Sequence, residues 1–84
     1  MKPVGKVTHY YRKAGVAIVE LAQSLKVGDR VRIERGDQVF DQNISSLHKD
    51  LKSIEHAGKG DVVGMKVDQK VKEGSLVALL EEGG

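Results

Sequence analysis

Apolar positions along this chain fall in short runs rich in β-branched residues, and glycine-containing turns separate the runs. Val4 to Tyr11 carries Val4, Val7, Thr8, Tyr10 and Tyr11, a strand composition whose broken alternation predicts a bulge or twist near Gly5. Arg12-Lys13-Ala14-Gly15 reads as a turn. Gly15 to Leu21 is almost wholly apolar, the pattern of a central strand covered on both sides. Arg30 to Glu34 alternates cleanly, with Val31 and Ile33 on one face and Arg30, Arg32 and Glu34 on the other. Gln38 to Gln42 offers Val39 and Phe40 as the next buried pair. Asp61 to Asp68 and Leu76 to Leu80 are two further strands, and a hairpin through Gln69 to Ser75 is the simplest way to join them.

Three phrases of one type open these runs: Lys26-Val27-Gly28-Asp29-Arg30-Val31, Gly58-Lys59-Gly60-Asp61-Val62-Val63 and Lys72-Glu73-Gly74-Ser75-Leu76-Val77. Glycine reaches the positive φ that a sharp reversal needs, so Gly28, Gly60 and Gly74 are the expected structural turns. Residues 43–57 read two ways. Ile44, Leu47, Leu51 and Ile54 follow helical spacing, with Asn43 to cap the start and Gly58 the end. Ile44, Ser46 and His48 equally alternate along a strand that turns at Lys49-Asp50 and returns through Ile54 and Ala57. With six or seven strands, short connections and no room for βαβ crossovers, the chain is expected to be all-β. The architecture expected is a small closed antiparallel β-barrel forming a single domain over residues 1–84.

The absence of cysteine excludes disulfides, thiolate metal sites and a cysteine nucleophile. The longest apolar stretches are too short to cross a bilayer, and no apolar signal segment opens the chain, so a soluble cytoplasmic protein without membrane contact is expected. Charge is uneven: residues 1–35 hold eight Lys or Arg against three acids, a balance of +5, and residues 36–84 hold six against nine, a balance of −3. Such a basic sector attracts phosphate or an acidic partner, or serves only to solubilise the surface. His9, His48 and His56 stand in no ligand spacing, the serines lack a nucleophile-elbow context, and Gly58-Lys59-Gly60 is not a Walker loop. No catalytic residue, metal, cofactor or nucleotide hydrolysis is therefore expected, and the chain reads as non-enzymatic. The sharpest binding signal is Arg12 and Lys13 beside Tyr10 and Tyr11, which joins phosphate attraction to base stacking. The competing reading is that these tyrosines pack across strands.

Val4-Gly5-Lys6-Val7, Lys26-Val27-Gly28-Asp29-Arg30-Val31-Arg32-Ile33, Ile44-Ser45-Ser46-Leu47 and Ala57-Gly58-Lys59-Gly60-Asp61-Val62-Val63-Gly64-Met65-Lys66-Val67, taken together, resemble domain II of the translational GTPases. That is the barrel of elongation factor Tu and its relatives, and the likeness runs over residues 4–80. Stand-alone translation elongation factor-like proteins resemble the chain more closely still, and a similar barrel is appended to a collagenase-type family of peptidases. The resemblance implies a strand over Ile44 to His48 and decides against the helix. It also implies contact with tRNA or ribosomal RNA in the segment holding His48, Lys49 and Lys52, whereas the GTPase domain of the family has no counterpart here. Met65 to Glu81 is similar to the opening of a lipoyl or biotinyl carrier domain, but no acceptor lysine is expected after it. The expectation is a translation-factor-like barrel binding RNA through Tyr11, Arg12, Lys13, Arg30, Arg32, His48, Lys49 and Lys52. The alternative is a protein-interaction module acting with a separately encoded enzyme such as a collagenase-type peptidase.

Overall fold

The computed structural model describes residues 2–80. Residue 1 and residues 81–84 of the expected domain, Glu81 of the carrier-like phrase among them, lie outside the described residues. The alternating runs become strands: β1 (Lys2–Tyr11), β2 (Val16–Leu21), β3 (Leu25–Lys26), β4 (Arg30–Arg35), β5 (Gln38–Asn43), β6 (Leu47–Lys49), β7 (Lys52–Ile54), β8 (His56–Ala57), β9 (Val62–Lys66) and β10 (Leu76–Leu79). Eight of them form one antiparallel sheet in the order β5-β4-β10-β1-β2-β9-β6-β7, and β3 pairs with β8 in a second, two-stranded sheet. The strands outnumber the six or seven expected because residues 43–57 break into β6, β7 and β8, and β3 forms opposite the last of these.

Turn chemistry sets the reversals. Gly28, Gly60 and Gly74 have φ of 97°, 89° and 90°, each at the third place of a four-residue turn. In each turn the fourth residue donates its N–H to the first residue's carbonyl: Asp29 to Lys26 at 3.1 Å, Asp61 to Gly58 at 3.0 Å and Ser75 to Lys72 at 3.1 Å. A positive φ at the third position is the signature of a type II turn, which glycine adopts without strain. The fourth side chain then reaches back to the first residue. Asp29 and Asp61 accept from the N–H of Lys26 and Gly58, and the Ser75 hydroxyl donates to the Lys72 carbonyl.

No helix forms over residues 43–57. β6 and β7 make a hairpin whose two turn residues, Asp50 and Leu51, have φ of 53° and 66°. Ile44 and Leu47 are buried while Leu51, which completes the helical spacing, is fully exposed at the hairpin tip. The broken alternation near Gly5 is a register shift between Pro3 and Gly5, and a second shift lies between Val7 and His9. Gly5 sits so close to β2 that a Cβ there would meet Val19 Cγ1 at 2.7 Å and the Glu20 carbonyl oxygen at 2.9 Å.

Two expectations need correction. β9 and β10 do not form a hairpin: β9 pairs with β2 and β6, and β10 lies between β1 and β4. The β1–β2 hairpin has two free edges, and each of these strands saturates one of them, which satisfies more buried backbone groups than pairing with each other alone. The connecting segment is spliced onto β1 by Val7 N–H to the Ser75 carbonyl and Gly74 N–H to the Val7 carbonyl, both 2.8 Å. Val39 and Phe40 are not a buried pair either. Successive strand residues face opposite sides, so Phe40 and Gln42 point inward and Val39 is exposed.

One contiguous core holds Val4, Val7, Val19, Val31, Ile33, Ile44, Leu47, Val63, Met65 and Val77 among others. Around it the sheet curls until edge strand β5 approaches the chain leaving β9. No backbone ladder joins them, and Gln42 spans the gap instead. Its side chain, 2% exposed, donates to the Lys66 carbonyl at 2.9 Å and accepts from the Asp68 N–H at 2.8 Å. Gln38 donates in the same direction to the Lys70 carbonyl at 2.7 Å.

Candidate binding surfaces

The basic residues singled out in the sequence sit on outward faces and turns, and several are already partnered. Arg32 stands directly across from Asp41 and forks onto it, Nε to Oδ1 at 2.7 Å and Nη2 to Oδ2 at 3.1 Å. That hydrogen bonding raises the guanidinium pKa and holds the Asp41 carboxyl below its ordinary value. Lys49 Nζ donates to Asp61 Oδ1 at 2.9 Å, which raises the ammonium pKa. Asp61 is lowered, first by the Gly58 N–H on its other oxygen and then by Lys49. Arg30 donates to Asn43 Oδ1 at 3.1 Å. Tyr11 is half exposed, with its ring edge-on to His9 at 4.5 Å between centroids, and His9 Nδ1 lies 3.3 Å from Glu73 Oε2.

Strand register decides which of these converge. β4 runs so that Val31 is opposite Leu79, and Leu79 is opposite Lys2, which puts Arg30 at the Lys2 end of β1. Arg12 and Lys13 follow the far end of that ten-residue strand, about 30 Å away at about 3.3 Å per residue. The longest dimension of the fold is 33 Å, so the two groups occupy opposite ends. His48, Lys49 and Lys52 form a third group on the β6–β7 hairpin, with Lys49 opposite Lys52. The eight residues expected to contact RNA therefore fall in three separate groups.

Two features have no counterpart in the sequence reading. Lys70, remote in sequence, joins Arg12 and Lys13 in lining one shallow cleft. On the outer face, one cross-strand row runs Val39, Glu34, Leu76, Lys6, Glu20, Val62 over β5, β4, β10, β1, β2 and β9. Val39, Leu76 and Val62 are large apolar side chains, each about half exposed. Beside Leu76, a dimple is lined by Pro3, Gly5, Lys6, Glu20, Leu21 and Ala22. Register alone brings this row together, so no local signal marks it. Among the described residues no group of three or more His, Asp or Glu is placed to hold a metal ion, and no helix is long and apolar enough to cross a membrane.

No family model matches the chain. Over 80 residues, 94% of its length, it is 36% identical to the uncharacterized protease MJ0090 of Methanocaldococcus jannaschii, and it spans only 20% of that protein. The C-terminal domain of a Geobacillus thermoleovorans protein designated a U32 peptidase has the same fold in two crystal structures. One, a selenomethionine variant, gives a TM-score of 0.87 at 21% identity, covering 93% of this chain and 99% of that one. The other gives 0.89 at 19% identity, covering 95% and 93%. At such identities the likeness establishes the fold alone.

These matches correct the resemblance to translation factors and the protein-biosynthesis setting that came with it: the relative is a protease and the fold is that of a peptidase's C-terminal domain. The physical cause of the misreading is the turn grammar. A type II turn favours glycine at its third place, and Asp or Ser after it closes the turn in all three phrases, so the repeated phrase reports turn geometry that any small β fold can use.

Proposed function

We propose that this chain is a non-catalytic protein-interaction module of a U32-type peptidase system, one that contacts the catalytic portion of such an enzyme. The observation that carries this reading is the 36% identity across nearly the whole chain to one fifth of a protease. The two peptidase C-terminal domains of the same fold support it. In such proteins the greater part of the chain lies outside the matching segment, and that remainder is the occupant we assign to the outer row through Val39, Leu76 and Val62. Half-exposed apolar groups interspersed with Glu34, Lys6 and Glu20 make a mixed apolar and charged surface, the composition of a non-obligate interface. On this reading the module is a single cytoplasmic domain, and its curled sheet works as a closed barrel with the Gln42 side chain standing in for the missing ladder.

The test is binding of the purified chain to a purified U32-type peptidase from the same cells, by calorimetry and by gel filtration with and without ribonuclease. A ribonuclease-resistant complex that Leu76→Glu weakens about tenfold or more supports the module. Failure to associate at about 100 μM, an affinity floor near 5.5 kcal/mol, overturns it.

A further inference from the structure

The cleft at the end of the β1–β2 hairpin is built from two stretches far apart in sequence. Arg12 and Lys13 come from the turn between β1 and β2, Lys70 comes from the segment between β9 and β10, and together they line an opening of about 500 Å³. Both walls are held by hydrogen bonds. Gly15 N–H donates to the Tyr11 carbonyl, Val67 N–H to the Gly15 carbonyl and Lys66 Nζ to the Ala14 carbonyl, all at 2.9 Å. Across the cleft the Lys70 carbonyl is fixed by Gln38 at 2.7 Å. Lys26, Arg32 and Lys49 each have a carboxylate partner, whereas among the described residues no carboxylate pairs with Arg12, Lys13 or Lys70. Three like charges held around one opening repel one another, and a ligand carrying negative charge relieves that repulsion.

We propose that this cleft binds an acidic segment of a polypeptide, taking its side-chain carboxylates between Arg12, Lys13 and Lys70. The inference deepens the module reading by naming what the module recruits, and it rests on that reading for the ligand being a polypeptide. The aromatic residues favour the same choice over RNA. Single-stranded RNA is held by successive bases stacked on exposed rings. Here Phe40 is buried, Tyr10 packs against the core and Tyr11 already meets His9 edge-on. The half-exposed Tyr11 is the one tyrosine beside the cleft, too few for successive bases to stack, and Arg12 supplies a planar fork suited to carboxylate.

Fluorescence anisotropy with a labelled hexaglutamate peptide tests this, using an oligouridylate and an uncharged peptide as comparison probes. The expected result is binding at low salt that prefers hexaglutamate to both and weakens as salt shortens the screening length. The triple variant Arg12→Ser, Lys13→Ser, Lys70→Ser should lose about tenfold or more in affinity. A charge-matched triple, Lys2→Ser, Lys52→Ser, Lys59→Ser, should stay within about twofold, since net charge alone would move both equally. Amide chemical-shift mapping on the unaltered chain should place the perturbed signals at Arg12, Lys13 and Lys70, independently of whether a variant folds. No binding at low salt, equal loss in the two triples, or tighter binding of oligouridylate than of hexaglutamate would each overturn the proposal. A chain that joins the peptidase but ignores the acidic peptide loses this inference alone. One that binds the peptide at the cleft but never joins the peptidase keeps the cleft and loses the module reading.

Discussion

The Asp61 carboxylate takes the Gly58 N–H on one oxygen and the Lys49 ammonium on the other, so one side chain both closes a turn and ties the β6–β7 hairpin to it. Both contacts favour the ionised form and hold its pKa below the ordinary 3.8. Asp41 is lowered likewise by Arg32. A carboxyl with a depressed folded-state pKa contributes stability that is complete above the unfolded value, near pH 4, and that drains away as pH falls through the folded value. Asp61→Asn keeps an acceptor and removes the charge, so it should lower the urea midpoint at pH 7, and that gap should narrow as the pH is lowered toward about 2 and the Asp61 carboxyl takes up its proton. A gap of equal size at both pH values would contradict this account. Leu51 behaves in the opposite sense. A left-handed backbone costs a branched residue about 1–2 kcal/mol, and at 102% relative exposure this side chain gains no burial in return. Leu51→Gly should therefore raise stability by about 0.5–1 kcal/mol, after the added chain entropy of glycine is counted, seen as a higher thermal midpoint. The type II turns are legible in the sequence because glycine with Asp or Ser after it is the chemistry such a turn requires. The Leu51 tip is not, since its spacing from Leu47 and Ile54 mimics a helix and only the folded hairpin shows that the leucine points outward.

Among elements, β5 is held on one side by the β4 ladder and on the other by side chains. The Gln42 amide offers a donating nitrogen and an accepting oxygen, as a peptide group does, and so pairs with both Lys66 C=O and Asp68 N–H in a part-buried setting. Gln42→Leu, close in size, would leave both groups unpaired and should cost about 1–3 kcal/mol. Denaturant titration gives the loss, and faster hydrogen exchange of the Asp68 amide, with little change at β1 and β2, would locate it. Uniform acceleration would mean that Gln42 acts only through global stability. β2 and β4 are legible as strands because their alternation or continuous apolar character depends on near neighbours. The separate destinations of β9 and β10 are not. Both runs are apolar, only nine residues, 67–75, lie between them, and the preference for opposite edges of the β1–β2 hairpin is set by backbone groups that any sequence carries. Lys70 and the outer row escape for the same reason: pairing partners far along the chain bring them into place.

In the molecule as a whole, β10 is the strand on which the two halves of the large sheet depend. Among the described residues it alone connects the β4–β5 hairpin by ladder to β1, β2, β9, β6 and β7. Val77 at its middle is fully buried and stands opposite Ile33 on one side and Gly5 on the other. Val62 on β9 is the same residue type in the same sheet, half exposed on the outer row and opposite Glu20. Introducing aspartate at the two positions separates core from surface with identical chemistry. Val77→Asp places a carboxyl in the core with no partner, a loss of about 3–5 kcal/mol that exhausts much of what a domain of this size possesses. It should abolish the cooperative thermal transition. Val62→Asp should fold with a stability change within about 0.5 kcal/mol. If the outer row is the contact with the peptidase, that folded variant should also bind the enzyme more weakly. Circular dichroism melting of both variants, followed by calorimetry with the peptidase on the folded one, decides the matter. Equal destabilisation at the two sites would mean that β9 is as central as β10 and that the outer row is not a free surface, whereas an unaltered affinity in Val62→Asp would move the contact elsewhere on the sheet.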